Sequence, residues 1–284
     1  MTPLHGIGVL VTRPEFQAMP LCRLLESYGA TTLRLPAVEI KPLKDRRVTA
    51  EQLGVLENFD VILFTSANAV RFGVSFLDQK RDLTLAALGP ATSRALNQAG
   101  YRVAIQPGES FDTEGLLSHP RLEHVAGHRI LIIKGTHGRD LLQQELTGRG
   151  ATVVCAEVYE RVPATFSAAV LEAMRERFAA GQVQVITATS LEIGAALLKL
   201  APPVPAEPVP AELLAAPLGP ASLALASLDL RSEFERAHWL VPGERVASGL
   251  RELGLKAPLL HADSAEDQDL AAALIRWRSS VSGA

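Results

Sequence analysis

Arg13 and Lys134 each close a short apolar run, Val9-Leu10-Val11-Thr12 and Ile130-Leu131-Ile132-Ile133, and each leads into an amphipathic segment that ends on Gly-Ala-Thr. Thr65-Ser66 and Thr189-Ser190 stand in the same relation to two further apolar runs, with Asn68 just behind the first pair, while Gly89, Thr92 and Gly243 follow two more. If these runs are strands of parallel sheets, the positions are strand carboxyl ends, where helix N-termini present unpaired N–H groups and a partial positive charge. Hydroxyls, backbone amides and single cations at such places can hold anionic groups. Plain N-capping is the competing role for Thr65, Ser66, Thr92 and Ser190. For Lys134 the competing role is a solvated surface charge. Tyr159 offers something else: a phenol hydroxyl is a hydrogen-bond donor, unless it is tied to backbone in a buried packing role.

The elements that must position these residues come in two interleaved copies. Val9–Ile40 aligns without a gap on Ile130–Arg161, so that Gly29-Ala30-Thr31 falls on Gly150-Ala151-Thr152 and Leu10, Leu21 and Leu25 fall on Leu131, Leu142 and Leu146. Arg13 and Lys134 are equivalent in this alignment. Tyr159 falls on Val38, so the duplication does not itself require a phenol there. Phe59–Val70 resembles Val183–Ala195, with Thr65-Ser66 on Thr189-Ser190, and Ala91–Gly100 echoes Arg245–Gly254. The wider spacing of that last pair has its source in a Pro/Ala-rich run near Ala201–Ala237, read as a mobile surface insertion at 201–220.

Strand and helix patterns alternate throughout. Ile7–Thr12, Asp60–Phe64, Leu83–Leu88, Tyr101–Gln106, Arg129–Lys134, Gln182–Thr187, Trp239–Val241 and Pro258–His261 are expected strands, with helices between them; the first helix opens at Glu15 and stops at Gly29. Thr31–Ile40 is extended but interrupted by Pro36, which suits an edge or connecting strand. The alternation predicts an α/β protein of two similar lobes, with parallel sheets flanked by helices. The interleaving makes one lobe discontinuous, residues 1–36 and 162–284, with 41–151 inserted and 31–40 and 152–161 crossing as a two-stranded β-ladder hinge. A ligand is expected in the cleft between the lobes, and domain motion about so thin a connection is the default.

Composition excludes several other classes. A chain of 284 residues can bury two ordinary cores, and a net charge of −3 argues against nucleic acid or an anionic membrane as partner. Cys22 and Cys155 both lie in apolar-periodic segments, as reduced core residues of a cytoplasmic protein would. No apolar stretch approaches the ~20 residues of a membrane span, and the N-terminus has no signal-peptide pattern.

The motifs VLVTRP at Val9–Pro14, FTSANAV at Phe64–Val70, LGPATSRAL at Leu88–Leu96 and GRGATVVCAEVYER at Gly148–Arg161 together resemble the uroporphyrinogen-III synthases. The likeness covers nearly the whole chain in order, apart from the insertion. It implies a cofactor-free hydro-lyase of porphyrin and heme biosynthesis that cyclises linear hydroxymethylbilane in the interdomain cleft, inverting the terminal (D) pyrrole to give uroporphyrinogen III. It implies further that Thr12, Arg13, Thr65, Ser66, Asn68, Gly89, Thr92, Lys134 and Ser190 bind this substrate with its eight carboxylates, and that Tyr159 is catalytic, helping the terminal hydroxyl to leave. The alternative to an acid role is that positioning supplies most of the rate. A monomer is expected, without metal, nucleic acid or membrane partner, taking its substrate by transient handover from hydroxymethylbilane synthase.

Other signals fail. Gly6-Ile7-Gly8 precedes its strand, and no G-x-G-x-x-G opens a helix. His119, His124 and His128 lack a ligand set at metal spacing, and no Ser-His-Asp arrangement is evident. The second function class is a non-catalytic anion- or tetrapyrrole-binding sensor on the same scaffold. The absence of an appended DNA-binding segment favours the enzyme.

Overall fold

The computed structural model describes residues 2–43, 58–77, 83–108, 110, 112–136, 140–201 and 230–282. Most of the Pro/Ala-rich insertion, 202–220, lies outside the described residues. The strands in chain order are β1 (Gly8–Val11), β2 (Thr31–Arg34), β3 (Val38–Pro42), β4 (Val61–Phe64), β5 (Leu85–Ala87), β6 (Val103–Ile105), β7 (Arg129–Gly135), β8 (Thr152–Pro163), β9 (Val185–Thr187), β10 (His238–Pro242) and β11 (Leu259–Ala262). The helices are α1 (Glu15–Ser27), α2 (Ala67–Gly73), α3 (Pro90–Gln98), α4 (Thr113–Leu117), α5 (Pro120–Glu123), α6 (Leu141–Gly148), α7 (Ala168–Ala179), α8 (Leu191–Leu200), α9 (Gly243–Glu252) and α10 (Asp267–Ser282). The chain divides into two compact units, Met1–Glu39 with Pro163–Ala284, and Ile40–Val162.

In the first unit the strands lie in the order β11-β10-β9-β1-β2, all parallel. β1 is buried along its whole length and therefore reads as an unbroken apolar run instead of alternating. One face is covered by α1 and α10, through Leu21, Leu25, Leu270 and Leu274; the other packs on α7, α8, α9 and the helical residues 230–236, around Phe178, Leu197, Phe234 and Leu250. In the second unit the order is β3-β8-β7-β4-β5-β6, parallel at every pairing from β8 to β6. There α2 and α3 cover one face through Val70 and Leu96, and α4, α5 and α6 cover the other through Leu116, Leu122 and Leu146.

The duplication is literal in this topology. β2-β1-β9-β10-β11 of the first unit corresponds strand for strand to β8-β7-β4-β5-β6 of the second, so one unit is a circular permutation of the other, with β3 added at the edge. Every expected strand is present, within two or three residues at its ends. The segment 31–40 differs from its expectation: it is not one crossing strand. Proline has no N–H to give a ladder, and the chain breaks around Pro36 into β2, an edge strand paired with β1, and β3, an edge strand beside β8. Only the second half of the segment therefore pairs with 152–161.

Candidate active site

Each sheet has a point where sequential connections leave to opposite faces, and the crevice at the strand carboxyl ends there is the usual ligand position in such sheets. In the second unit it falls between β7 and β4. In the first it falls between β1 and β9, and the residues singled out from sequence gather around these two places.

In the second unit Ser66 is the N-cap of α2, extended at φ −161° and ψ 162°, its Oγ accepting the Ala69 N–H at 3.0 Å. The same Oγ lies 3.1 Å from the Tyr159 hydroxyl. Tyr159 is buried, its ring stacked on Phe72 with centroids 5.9 Å apart. Its hydroxyl is thus held by a side chain, not by backbone. Thr65 donates weakly through Oγ1 to the Ile133 carbonyl at 3.4 Å, and its N–H bonds the same carbonyl at 3.2 Å. Asn68 and Thr92 are buried in the first turns of α2 and α3. Gly89 caps α3 in extended backbone with no side chain to contribute, and Pro90 at N1 has no N–H, so the amides of Ala91 and Thr92 form the mouth of that helix. Lys134, buried at the end of β7, donates to Asp140 at 2.9 Å from the N-cap of α6.

The first unit repeats the design with different commitments. Ser190 caps α8 as Ser66 caps α2, at φ −153° and ψ 159°, accepting the Ile193 N–H at 3.2 Å. Thr12 is fully buried: its N–H bonds Thr187 Oγ1 at 3.2 Å and its own hydroxyl donates to the Thr187 carbonyl. Arg13 is also buried. Its Nε donates to Thr189 at 3.4 Å, and its two terminal nitrogens bond Asp267 and the Ala265 carbonyl. Arg13 and Lys134, matched in the sequence repeat, each form an ion pair with an aspartate at the start of a helix, though the two helices occupy different places in the repeat. A family model described as uroporphyrinogen-III synthase HemD matches residues 20–270.

The chain belongs to the uroporphyrinogen-III synthase family, and with it to the hydro-lyases. It is 30% identical over 279 residues to the uroporphyrinogen-III synthase of Escherichia coli K12, covering 94% of this chain and 100% of that one. It is 29% identical over 279 residues to that of Salmonella typhimurium, with the same coverage. In fold it is similar to a uroporphyrinogen III synthase of Thermus thermophilus, at a TM-score of 0.54 and 19% identity over 98% of this chain and 100% of that one. The synthetase of Helicobacter pylori gives a TM-score of 0.55 at 16% identity over 95% and 99%.

In this member of the synthase family, two features of the site lie outside the residues singled out from sequence. The β7–β8 register slips between Lys134 and Gly135, so that Glu157 faces Lys134 but Tyr159 faces Gly135, leaving Val158 unpaired in the ladder. Strict alternation would put Tyr159 on the opposite face from Ala156 and Val158; the bulge sends all three to one cluster. The aspartates that hold Arg13 and Lys134 come from distant or irregular segments without a motif of their own. Among the described residues no group of three or more His, Cys, Asp or Glu side chains converges on a metal position, and no helix is long and apolar enough to cross a membrane. Cys22 and Cys155 are free thiols whose pKa burial pushes up. A cavity of about 270 Å³ beside Gly6, Gly8 and Gln184 opens at the amino ends of β1 and β2, the wrong end of that sheet for the residues above.

Proposed function

We propose that the protein cyclises hydroxymethylbilane to uroporphyrinogen III with inversion of the terminal pyrrole, and that Tyr159 is the group that helps the hydroxyl depart. The observation that carries this reading is the hydroxyl pair of Tyr159 and Ser66 at the mouth of α2. When Ser66 donates to the phenol oxygen, the Ala69 N–H, the Ser66 O–H and the Tyr159 O–H form a chain in which each donor polarises the next. The phenol proton is then left for the substrate. The nitrogen of the pyrrole that bears the hydroxymethyl group expels the hydroxyl, the C–O bond breaks as that oxygen takes up the Tyr159 proton, and water departs to leave an N-protonated azafulvene. The substituted α-carbon of the last ring attacks the exocyclic methylene to form a spiro intermediate; the bond from that carbon to its original bridging methylene then breaks, the methylene rejoins the ring at its free α-carbon to give the inverted ring, and the proton lost there returns to the Tyr159 phenolate. The overall balance is loss of one water, with no oxidant or reductant.

The substrate carboxylates fall to backbone amides and hydroxyls. Thr65, Ser66, Asn68, Gly89 and Thr92 supply the starts of α2 and α3, Ser190 supplies that of α8, and Lys134 adds a cation. Arg13 and Thr12, which bond Thr189 and Thr187, act by fixing those residues beside Ser190. Fixed dipoles of this kind need little reorganisation as charge develops.

The test is a coupled assay in which hydroxymethylbilane is generated in place and the products are resolved as isomer III and isomer I. Catalysed formation of isomer III, unchanged by exhaustive chelation, is expected. Isomer I alone, at the rate found without protein, would overturn the proposal in favour of a binding role.

A further inference from the structure

The ring of Tyr159 belongs to β8, and its hydroxyl partner Ser66 follows β4. These strands are not neighbours, since β7 lies between them. To reach Ser66 the ring must pass over β7, and it does so at Gly135, the residue that the bulge at Val158 sets opposite it. A Cβ placed on Gly135 would lie 2.5 Å from Cζ of Tyr159, 2.6 Å from a neighbouring ring carbon and 2.9 Å from the hydroxyl oxygen. All three are closer than a real methyl contact allows. Gly135, the last residue of β7, does not have the positive φ that demands glycine for backbone reasons. What the position requires is the empty space above its Cα.

We propose that Gly135 is a positioning residue of the reaction: its missing side chain is the floor on which the Tyr159 ring lies, and it fixes the phenol at hydrogen-bonding distance from Ser66. This rests on the assignment of Tyr159 to hydroxyl departure. Gly135→Ala would leave the backbone conformation open to it and displace the ring, and misplacement of a reacting group by about 1 Å is worth on the order of 10²-fold in rate.

The experiment combines rates with a direct view of the phenol. The chain has three tyrosines, so labelling Tyr Cζ with carbon-13 gives three resonances in the full-length protein, and Tyr159→Phe identifies the one of interest. Gly135→Ala is expected to shift that resonance while leaving those of Tyr28 and Tyr101 in place. It should lower turnover on the order of 10²-fold in the wild-type background and cause almost no further loss in the Tyr159→Phe background, because the displaced hydroxyl is already gone. An unshifted Tyr159 resonance, or the same fold loss in both backgrounds, would overturn the proposal. A shifted resonance with Tyr159→Phe at wild-type turnover would instead overturn the catalytic assignment on which it rests. Should Gly135→Ala fail to fold, Gly135→Ala/Tyr159→Leu is expected to restore folding by removing the obstructing ring; failure to do so would count against the steric account.

Discussion

The hydroxyls of Ser66 and Tyr159 lie 3.1 Å apart although a whole strand separates the elements that carry them. Ser66 thereby does two jobs, capping α2 and holding the phenol, while its counterpart Ser190 does only the first among the contacts described for it. This asymmetry within a duplicated frame makes the two copies controls for one another.

Tyr159→Phe should lower turnover by ~10²–10⁴-fold, the usual worth of acid or hydrogen-bond assistance, while product affinity stays nearly unchanged because the phenol meets the substrate in the transition state. Stability should fall by only ~1 kcal/mol, for the lost bond to Ser66. Isomer-resolved steady-state rates beside a denaturation curve check both halves. Unchanged turnover would assign the phenol to packing on Phe72.

Ser66→Ala and Ser190→Ala should each cost about 1 kcal/mol of stability through loss of an N-cap. Ser66→Ala should also lower kcat, by less than Tyr159→Phe, since the phenol remains but loses its orienting partner. Ser190→Ala should act on KM alone. Equal effects of the two substitutions on kcat would remove Ser66 from the relay.

Arg13→Ala should destabilise the protein by roughly 2–3 kcal/mol, below the ~3–5 kcal/mol that breaking a fully buried ion pair costs, because the Asp267 side chain is 29% exposed and keeps part of its hydration. The loss should be smaller in an Asp267→Asn background, where no carboxylate is left behind. Urea midpoints of the two single variants and the double variant give the coupling directly.

His238 opens β10 with its ring 4.8 Å from that of Trp277, and burial holds its pKa below the ordinary value of 6.5. Well above 6.5 neither folded nor unfolded chain is protonated there, and the group contributes nothing to pH dependence. As pH falls through 6.5 the unfolded chain takes up the proton first, so stability declines until the folded pKa is passed. Urea midpoints between pH 8 and pH 5 should therefore fall less steeply in His238→Phe, which keeps an aromatic ring on Trp277. Parallel slopes in the two proteins would refute this.

Much of the architecture was legible because its signals are local. Apolar runs such as Val61–Phe64 mark fully buried parallel strands, and Gly29 and Gly150, both at positive φ after their helices, mark equivalent stops. The pairing of Thr65-Ser66 with Thr189-Ser190 foretold two caps of nearly identical geometry. The environment of Arg13 was not legible. Its acceptors, Thr189, Ala265 and Asp267, lie far along the chain, and a cation at a strand end reads the same in sequence whether its partner is a ligand or an aspartate.

The sequence by itself determined the duplication, the strands and helices that compose it, and the short list of hydroxyls and cations at strand ends, because each depends on periodicity or on residue type within a few positions. Tertiary structure decided which of those groups meet. The side chain of Tyr159 points toward Ser66 only because β8 gains a residue at Val158 when it pairs with β7, and because Gly135 leaves room beneath the ring. A bulge changes the face of every residue beyond it, and it is set by how two strands distant in sequence are drawn into register, information that no local pattern around Tyr159 carries.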